Sequence, residues 1–383
     1  MRVCVATIVH HPNDARILHR QIQALLDAGH QVTYVAPFSD SSTNPWPGID
    51  VVDVPRARGR HRLHAVRAAR KRLSRQAKDT DVLIVHDPEL LLALPRRRRG
   101  RPVLVWDVHE DTAAALTAKG WLPKPVRPLL RPVVRTAELV AERRMRLLLA
   151  EEGYRARFRR EHPVVANTVY VPDEPPPKPG ADRLVYLGHI SRARGAEEIV
   201  AAARKLRGEG VTIELIGAAD ADVRPMLRDA QREGALRWYG YVPNDQALRI
   251  TEGALAGLAP LRDEPNYRHS LPTKIVEYMA HGVPVIATPL PVSEAILTTA
   301  DCGVLVPFND PDAIVAAALR LRDDAELRTS MGKRGHIAAH TNYNWPVTAR
   351  EFVASLEEWA NERNEAHTRP TRRENPSGEE LKA

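Results

Sequence analysis

The sequence predicts an α/β protein with two domains, each a doubly wound parallel sheet. Three observations lead there. Short apolar runs alternate with segments of helical spacing along most of the chain. The series is interrupted by Pro172–Gly180 (PDEPPPKPG), a stiff proline-rich stretch of the kind that separates domains. The 383 residues suffice for two domains, and a 43% hydrophobic content suffices for two cores.

Val3–Val9 opens the chain as a buried strand. Asp14–Ala28 then carries helical spacing through Ile17, Ile22, Leu25 and Leu26, with Gly29 as its stop. Gln31–Ala36 reads as a strand, and Val82–Val85 and Val103–Trp106 as further short buried strands. Arg127–Arg146 is predicted helical and Leu147–Ala150 extended. Beyond the prolines, Leu184–Leu187 and Val211–Ile216 are predicted strands around a helix from about Ala196 to Leu206. Leu255–Ala259, Val283–Ala287 and Val304–Val306 extend this second sheet, and Pro311–Leu321, Ala325–His340 and Trp345–Asn361 are predicted helices. From Arg363 the chain is polar without a core pattern, so a disordered tail is expected over 363–383. The domains drawn on this reading are 1–171 and 181–343, with 172–180 as linker and 344–362 as a last helix.

Composition narrows the class. Cys4 and Cys302 are the two cysteines and stand far apart, which excludes a disulfide framework and points to a reducing compartment. Val3–Val9 is too short for a secretory signal, and no run approaches the ~20 apolar residues of a spanning helix. The expectation is a cytoplasmic protein, soluble or peripheral at the inner face of the membrane.

The net charge of +8 is uneven. Met1–Asn167 holds 30 Lys and Arg against 17 Asp and Glu, a balance of +13, and the remainder carries −5. Arg56–Lys78, Arg96–Arg99 and Arg155–Arg160 concentrate the positive charge. A solvated surface is the plain reading; attraction to an anionic membrane or acceptor is the functional one. Nucleic acid is not expected as a partner, because aromatic content is 5% and no nucleic-acid motif accompanies the charge.

The segment His269–Thr288 (HSLPTKIVEYMAHGVPVIAT) carries the most chemistry. Pro272 suits a first helical position, Thr273, Lys274, Glu277 and Tyr278 share one helical region, and Gly282 ends it before the apolar run Val283–Ala287. A helix start aimed out of a parallel sheet attracts anions. With a lysine and a glutamate beside it, the segment suits a ligand bearing both phosphates and hydroxyls, such as a nucleotide sugar.

Polar clusters end three strands of the first domain: His10-His11-Pro12-Asn13-Asp14-Ala15-Arg16, His86-Asp87-Pro88-Glu89, and Asp107-Val108-His109-Glu110. All three fall on one edge of a parallel sheet, where ligands gather. Asp14 also suits a helix cap, as does Asp87. Metal binding competes for these residues, but no His-x3-His or Cys-x2-Cys spacing occurs among them. Ser270 and Ser293 lack the Gly-x-Ser-x-Gly elbow of a serine hydrolase. In the second domain Gly188-His189-Ile190-Ser191-Arg192-Ala193-Arg194-Gly195 follows the first strand.

These motifs together resemble the family 4 retaining glycosyltransferases of the GT-B fold. Glu277, Met279, Ala280, Gly282, Pro284 and Val285 match the second half of that family's donor signature, and His269 stands where its first glutamate falls. HDPxLL, DxHE and LPxKxxEYM look like features of one subgroup. The resemblance implies two Rossmann-like domains facing a cleft, the last helix crossing back to the first domain, and transfer of a sugar from a nucleoside diphosphate sugar with retention of configuration. It implies diphosphate contacts from Arg194 and Lys274, with His189 at the first basic position of the Gly-Arg…Lys-Gly pattern. Glu277 would bind the ribose, His269 would face the sugar, and Ser270, Leu271 and Thr273 would line the donor. His109 would contact the donor sugar near the reaction centre. His10, His11, Asp14, Arg16, His86, Asp87, Asp107 and Glu110 are the candidate acceptor or cleft residues. No cofactor and no metal are expected. A nucleotide-sugar epimerase and a noncatalytic nucleotide-sugar-binding partner protein are the alternatives. The sequence leaves the donor base, the sugar and the acceptor open.

Overall fold

Residues 1–41, 46–95, 102–109, 127–174, 176–265 and 267–368 are described in the computed structural model of the chain. Among them are two six-stranded sheets whose paired strands run parallel. The first contains β1 (Arg2–Ala6), β2 (Gln31–Ala36), β3 (Ile49–Asp53), β4 (Val82–Val85), β5 (Val103–Val108) and β6 (Arg146–Leu149) in the order β3-β2-β1-β4-β5-β6. The second contains β7 (Arg183–Leu187), β8 (Thr212–Ile216), β9 (Leu236–Trp238), β10 (Ala256–Ala259), β11 (Val285–Ala287) and β12 (Gly303–Leu305) in the order β12-β11-β10-β7-β8-β9. Each order reverses once, between β1 and β4 and between β7 and β10. In open α/β sheets the loops leaving such strands diverge, and ligands bind there at the carboxyl edge.

The strands are apolar because helices cover both faces of a parallel sheet. In the second unit, Leu184, Leu215 and Leu258 pack with Ile199, Ala203 and Leu227, while the alternating Val185, Leu187 and Ala259 pack with Ile275, Tyr278 and Met279. In the first unit Val3, Val5, Tyr34, Ile84 and Val105 are buried, as are Phe352 and Leu356 of the last helix.

The compact units are Met1–Val108 with Glu138–Leu148 and Arg350–Ala383, and His109–Ala137 with Leu149–Ala349. The last helix, Trp345–Thr368, therefore belongs to the first unit from Arg350 onward. Arg363 reaches the Asp81 carbonyl at 3.0 Å, Glu357 pairs with His30 at 3.1 Å, and Glu362 pairs with Arg146.

Several elements differ from the sequence reading. The helix expected from Asp14 begins as a π-wound turn, Ile17–Ile22, with α-helix from Gln23 to Asp27. The Asp14 carboxylate accepts the N–H groups of Arg16 and Ile17, and Gln21 N–H bonds back to the Arg16 carbonyl, five residues away. The strands β3 and β9 and the helices Arg62–Gln76, Arg224–Arg232, Asn244–Thr251 and Pro291–Ala300 are additions to the sequence reading; each is short or carries few apolar residues. Pro272 is the N-cap of its helix rather than the first helical residue, and Thr273 begins the helix. The last helix runs past Asn361 to Thr368, so the first residues of the expected tail are helical; the remainder of that tail lies outside the described residues, as do Arg96–Arg99 and Glu110.

Candidate functional site

Two loops and one helix of the second unit meet at the β7–β10 switch point. After β7 the chain passes His189 and makes a tight turn, Arg192–Arg194, closed by Gly195 in the left-handed region at φ +84°. Only glycine fits there, because a Cβ would stand 2.2 Å from the Pro260 carbonyl oxygen of the loop after β10. Arg262 pins the same two loops together. Its N–H donates to the Ala193 carbonyl at 3.0 Å, and its guanidinium binds Glu197 and Glu198.

The helix Thr273–Ala280 brings in Lys274, Glu277 and Tyr278. Tyr278 anchors it. The Tyr278 hydroxyl accepts the Leu187 N–H at 2.8 Å and donates to the Leu258 carbonyl at 3.2 Å, joining the ends of β7 and β10. Its ring lies against Gly257, where any Cβ would come within 2.3 Å of ring carbons.

Lys274 is the unusual residue. Its side chain is buried, and its Nζ has no hydrogen-bond acceptor among the described residues. The ammonium sits 3.6 Å from the centre of the Tyr186 ring. Burial pushes the Lys274 pKa well below the ordinary lysine value, Arg194 adds to the depression through like-charge repulsion, and Glu277 partly opposes both. The buried ammonium thus feels a second cation and one carboxylate, an arrangement that an anion with several oxygens would relieve.

The other expected donor residues gather around this helix with distinct partners. His189 is exposed, and its Nε2 lies 2.7 Å from Asp220 Oδ1. His269 is exposed and packs its Cβ over Gly153. The Leu271 N–H donates to Glu151 Oε2 at 3.0 Å, so that backbone donor is engaged within the protein. Ser270 and Thr273 are half-buried at the helix entrance.

In the first unit, the strand-end clusters form a buried polar network at the β1–β4 switch point. Asp107, fully buried at the end of β5, accepts Arg16 Nε at 2.7 Å on Oδ2 and an Arg16 terminal nitrogen at 2.7 Å on Oδ1. Gln21 Nε2 donates to Oδ2 at 3.0 Å, and His86 Nδ1 lies 3.1 Å from the same oxygen. Burial alone would raise the Asp107 pKa, but the charge and hydrogen bonds of Arg16, helped by His86, hold it well below the usual carboxylate range.

Asp87 accepts the N–H groups of Ile8 and Val9 and the Thr7 hydroxyl, closing the loop that follows β1. Burial raises its pKa, offset in part by His10 and the Ile8 N–H. His10 stands 3.5 Å from both Asp14 and Asp87, and His11 Nδ1 accepts the Asn13 N–H. The Asp14 pKa is lowered, because hydrogen bonding and charge from His10 outweigh burial. Arg16 contacts both Asp107 oxygens, so the His86–Asp107 pair lies inside an ion-paired network. His109 is half-buried two residues after Asp107.

Sequence reasoning missed three contributors. Tyr186 lies under Lys274, Glu151 holds the Leu271 N–H, and Arg262 fixes the turn before Arg194. None carries a motif, and each acts through contacts remote in sequence.

Comparison with known proteins extends this picture. Residues 181–324 match the family model described as glycosyl transferases group 1, and residues 15–172 match the model of glycosyltransferase family 4. A phosphatidyl-myo-inositol mannosyltransferase of Mycolicibacterium smegmatis is 26% identical over 352 residues, covering 88% of this chain and 87% of the relative. The chain spans less than half the length of several other curated relatives it matches. Among solved structures, sucrose-phosphate synthase from Thermosynechococcus elongatus superimposes with a TM-score of 0.70 at 16% identity, covering 94% of this chain and 99% of that one. HepE from Anabaena in complex with UDP-glucose gives 0.68 at 12% identity, covering 94% and 100%. The two family matches, one in each half of the chain, and the two-sheet architecture support a family 4 glycosyltransferase of the GT-B fold.

Proposed function

We propose that the chain transfers a sugar from a nucleoside diphosphate sugar to an acceptor hydroxyl, with retention of anomeric configuration and without a metal bridging the diphosphate. The observation that carries this reading is Lys274: a buried ammonium with no acceptor for its hydrogens among the described residues, near the charge of Arg194 at the switch point of the second sheet. Arg194 and Lys274 would take the diphosphate oxygens, and Glu277 the ribose hydroxyls. His269 would face the sugar. His109 is the candidate sugar contact near the reaction centre. The UDP-glucose complex of a structural neighbour supports a nucleotide-sugar donor.

In the reaction, the bond from the anomeric carbon to the diphosphate oxygen breaks and its electron pair leaves with the diphosphate. The acceptor oxygen bonds to the same face of that carbon, and its proton passes to the departing phosphate. The task of the protein is to stabilise charge growing on the leaving group. Fixed cations in a water-poor site do this well. No carboxylate nucleophile is needed, which fits the engagement of Asp87 and Asp107 in internal hydrogen bonds.

A lipid-borne acceptor is favoured by the helix Arg62–Gln76. Its Ala65, Ala69 and Leu73 are buried, while Arg67, Arg70, Lys71, Arg72 and Arg75 are exposed. No acidic residue occurs between Asp53 and Asp79, and among the described residues these five cations have no acidic partner. Such a face suits an anionic membrane surface. The relative named as a phosphatidyl-myo-inositol mannosyltransferase supports the same reading.

The test is a thermal-shift screen of nucleotide sugars. A ligand at 100 times its Kd stabilises by about 2.7 kcal/mol. The reading expects at least one nucleoside diphosphate sugar to raise Tm, and fails if none does at millimolar concentration.

A further inference from the structure

We propose that Tyr186 is the positioning residue of the diphosphate site, its ring keeping Lys274 charged while leaving the ammonium hydrogens available to the ligand. The inference rests on the donor-site reading above and assigns a task to a residue outside the family motifs.

A single side chain touches both Lys274 and the loop that leads to Arg194. Tyr186 is the fourth residue of β7 and fully buried. Its ring carries the Lys274 ammonium at 3.6 Å, well inside the range of a cation–π contact. Its hydroxyl donates to the His189 carbonyl at 2.7 Å, fixing the loop that leads to Arg194. Arg194 lies near enough that its charge acts on that hydroxyl.

The physical problem at this site is a buried cation that has to stay charged before its anion arrives. A carboxylate partner would solve it by an ion pair, but would occupy the ammonium hydrogens and repel the incoming phosphate. Water would be displaced on binding. The face of an aromatic ring stabilises the charge through its quadrupole, takes no conventional acceptor position, and carries no net negative charge. The absence of any hydrogen-bond acceptor for Nζ among the described residues fits that device. Glu277 lies close enough to favour the charged form, and its expected task is on the ribose. The Tyr186 hydroxyl stays neutral, because burial drives its pKa upward.

The experiment separates ring electronics from packing. Tyr186→Phe is made first, then the phenylalanine is replaced by mono-, di- and trifluorinated phenylalanines through nonsense suppression. Fluorination drains the π face with little change of shape. Calorimetry uses UDP, GDP, ADP or TDP, whichever gives the largest thermal shift, with its parent nucleoside as control. Affinity for the diphosphate should fall stepwise along the series, reaching about tenfold, while nucleoside affinity stays constant. A flat diphosphate series, with Lys274→Met weakened as expected, overturns the role of the ring alone. If Lys274→Met binds the diphosphate like the unsubstituted protein, the diphosphate site is overturned with it. Equal losses for nucleoside and diphosphate would make Tyr186 a packing residue and refute the assignment.

Discussion

Replacing Lys274 by methionine should stabilise the protein and weaken its ligand in one step. Methionine keeps the length of the side chain, suits a helix and contacts aromatic rings well. In the folded chain the lysine ammonium is buried, lacks an acceptor among the described residues, and is repelled by Arg194. Removing a buried charge that only an aromatic face and a nearby carboxylate offset should add on the order of 1 kcal/mol, or about 2–4 °C in Tm for a domain of 150–250 residues. The ligand side runs the other way. A hydrogen bond to a charged group is worth about 1.5–3 kcal/mol, which is roughly 10- to 150-fold in Kd. The free nucleoside should bind as before.

The pH dependence has a definite sign. Because the folded Lys274 pKa lies below its ordinary value, the unfolded chain holds more protons between the two values, and stability rises with pH across that window. The methionine variant should lose that slope. Diphosphate affinity of the unsubstituted protein should fall over the same alkaline window as the ammonium discharges. Scanning calorimetry and titration calorimetry on both proteins measure all of this. A variant with lower Tm and unchanged diphosphate affinity would refute the reasoning, because Lys274 would then be a packing residue with a hidden partner.

Four further outcomes are expected. Arg194→Ala should weaken the diphosphate by about tenfold or more and spare the nucleoside, whereas Glu277→Ala should weaken both, since ribose is common to them; calorimetry with the pair of ligands reads the difference. Arg16→Met takes the arginine partner from the buried Asp107 charge, leaving Gln21 and His86, and should cost about 3 kcal/mol by chemical denaturation; since the Asp107 pKa is held low, its contribution to the unsubstituted protein is present above the ordinary carboxylate range and lost as pH falls through the depressed folded value. His109→Ala should lower turnover more than nucleotide affinity, measured by product formation and titration on the same preparation. Reversing Arg67, Lys71 and Arg75 to glutamate should abolish sedimentation with anionic vesicles at low salt, while neutral vesicles recover neither protein; equal recovery of both proteins with anionic vesicles would make the face plain solvated charge.

The extent to which these features were legible in the sequence follows from what holds each one. Buried parallel strands announce themselves, because both faces demand apolar residues: Val82–Val85 and the helix Ala196–Leu206 appear where the pattern puts them. Helix Arg62–Gln76 is hidden because three small or apolar residues suffice to seat it, and the rest of it reads as charge. β3 is hidden because an edge strand buries little, with Val51 exposed and Val52 half-buried. At the site, motif residues were visible and their partners were not. Lys274 and Arg194 stand in recognisable strings, whereas the meeting of Tyr186 with Lys274 and of Arg262 with Ala193 exists only once β7 and β10 are neighbours. The strand-end clusters His10–Arg16, His86–Asp87 and Asp107 were grouped by edge, and the fold joins them through buried hydrogen bonds that no spacing encodes.

The central claim is sugar transfer from a nucleotide sugar, and acceptor-dependent release of nucleoside diphosphate tests it most directly. The purified chain is incubated with the nucleotide sugar that gives the largest thermal shift, with and without a membrane lipid extract, and released diphosphate is followed over time. The account expects release that requires the extract, disappears in Lys274→Met, and is matched by a new glycolipid with the donor's anomeric configuration by proton NMR. Diphosphate release that ignores the extract, or a product of inverted configuration, would contradict it.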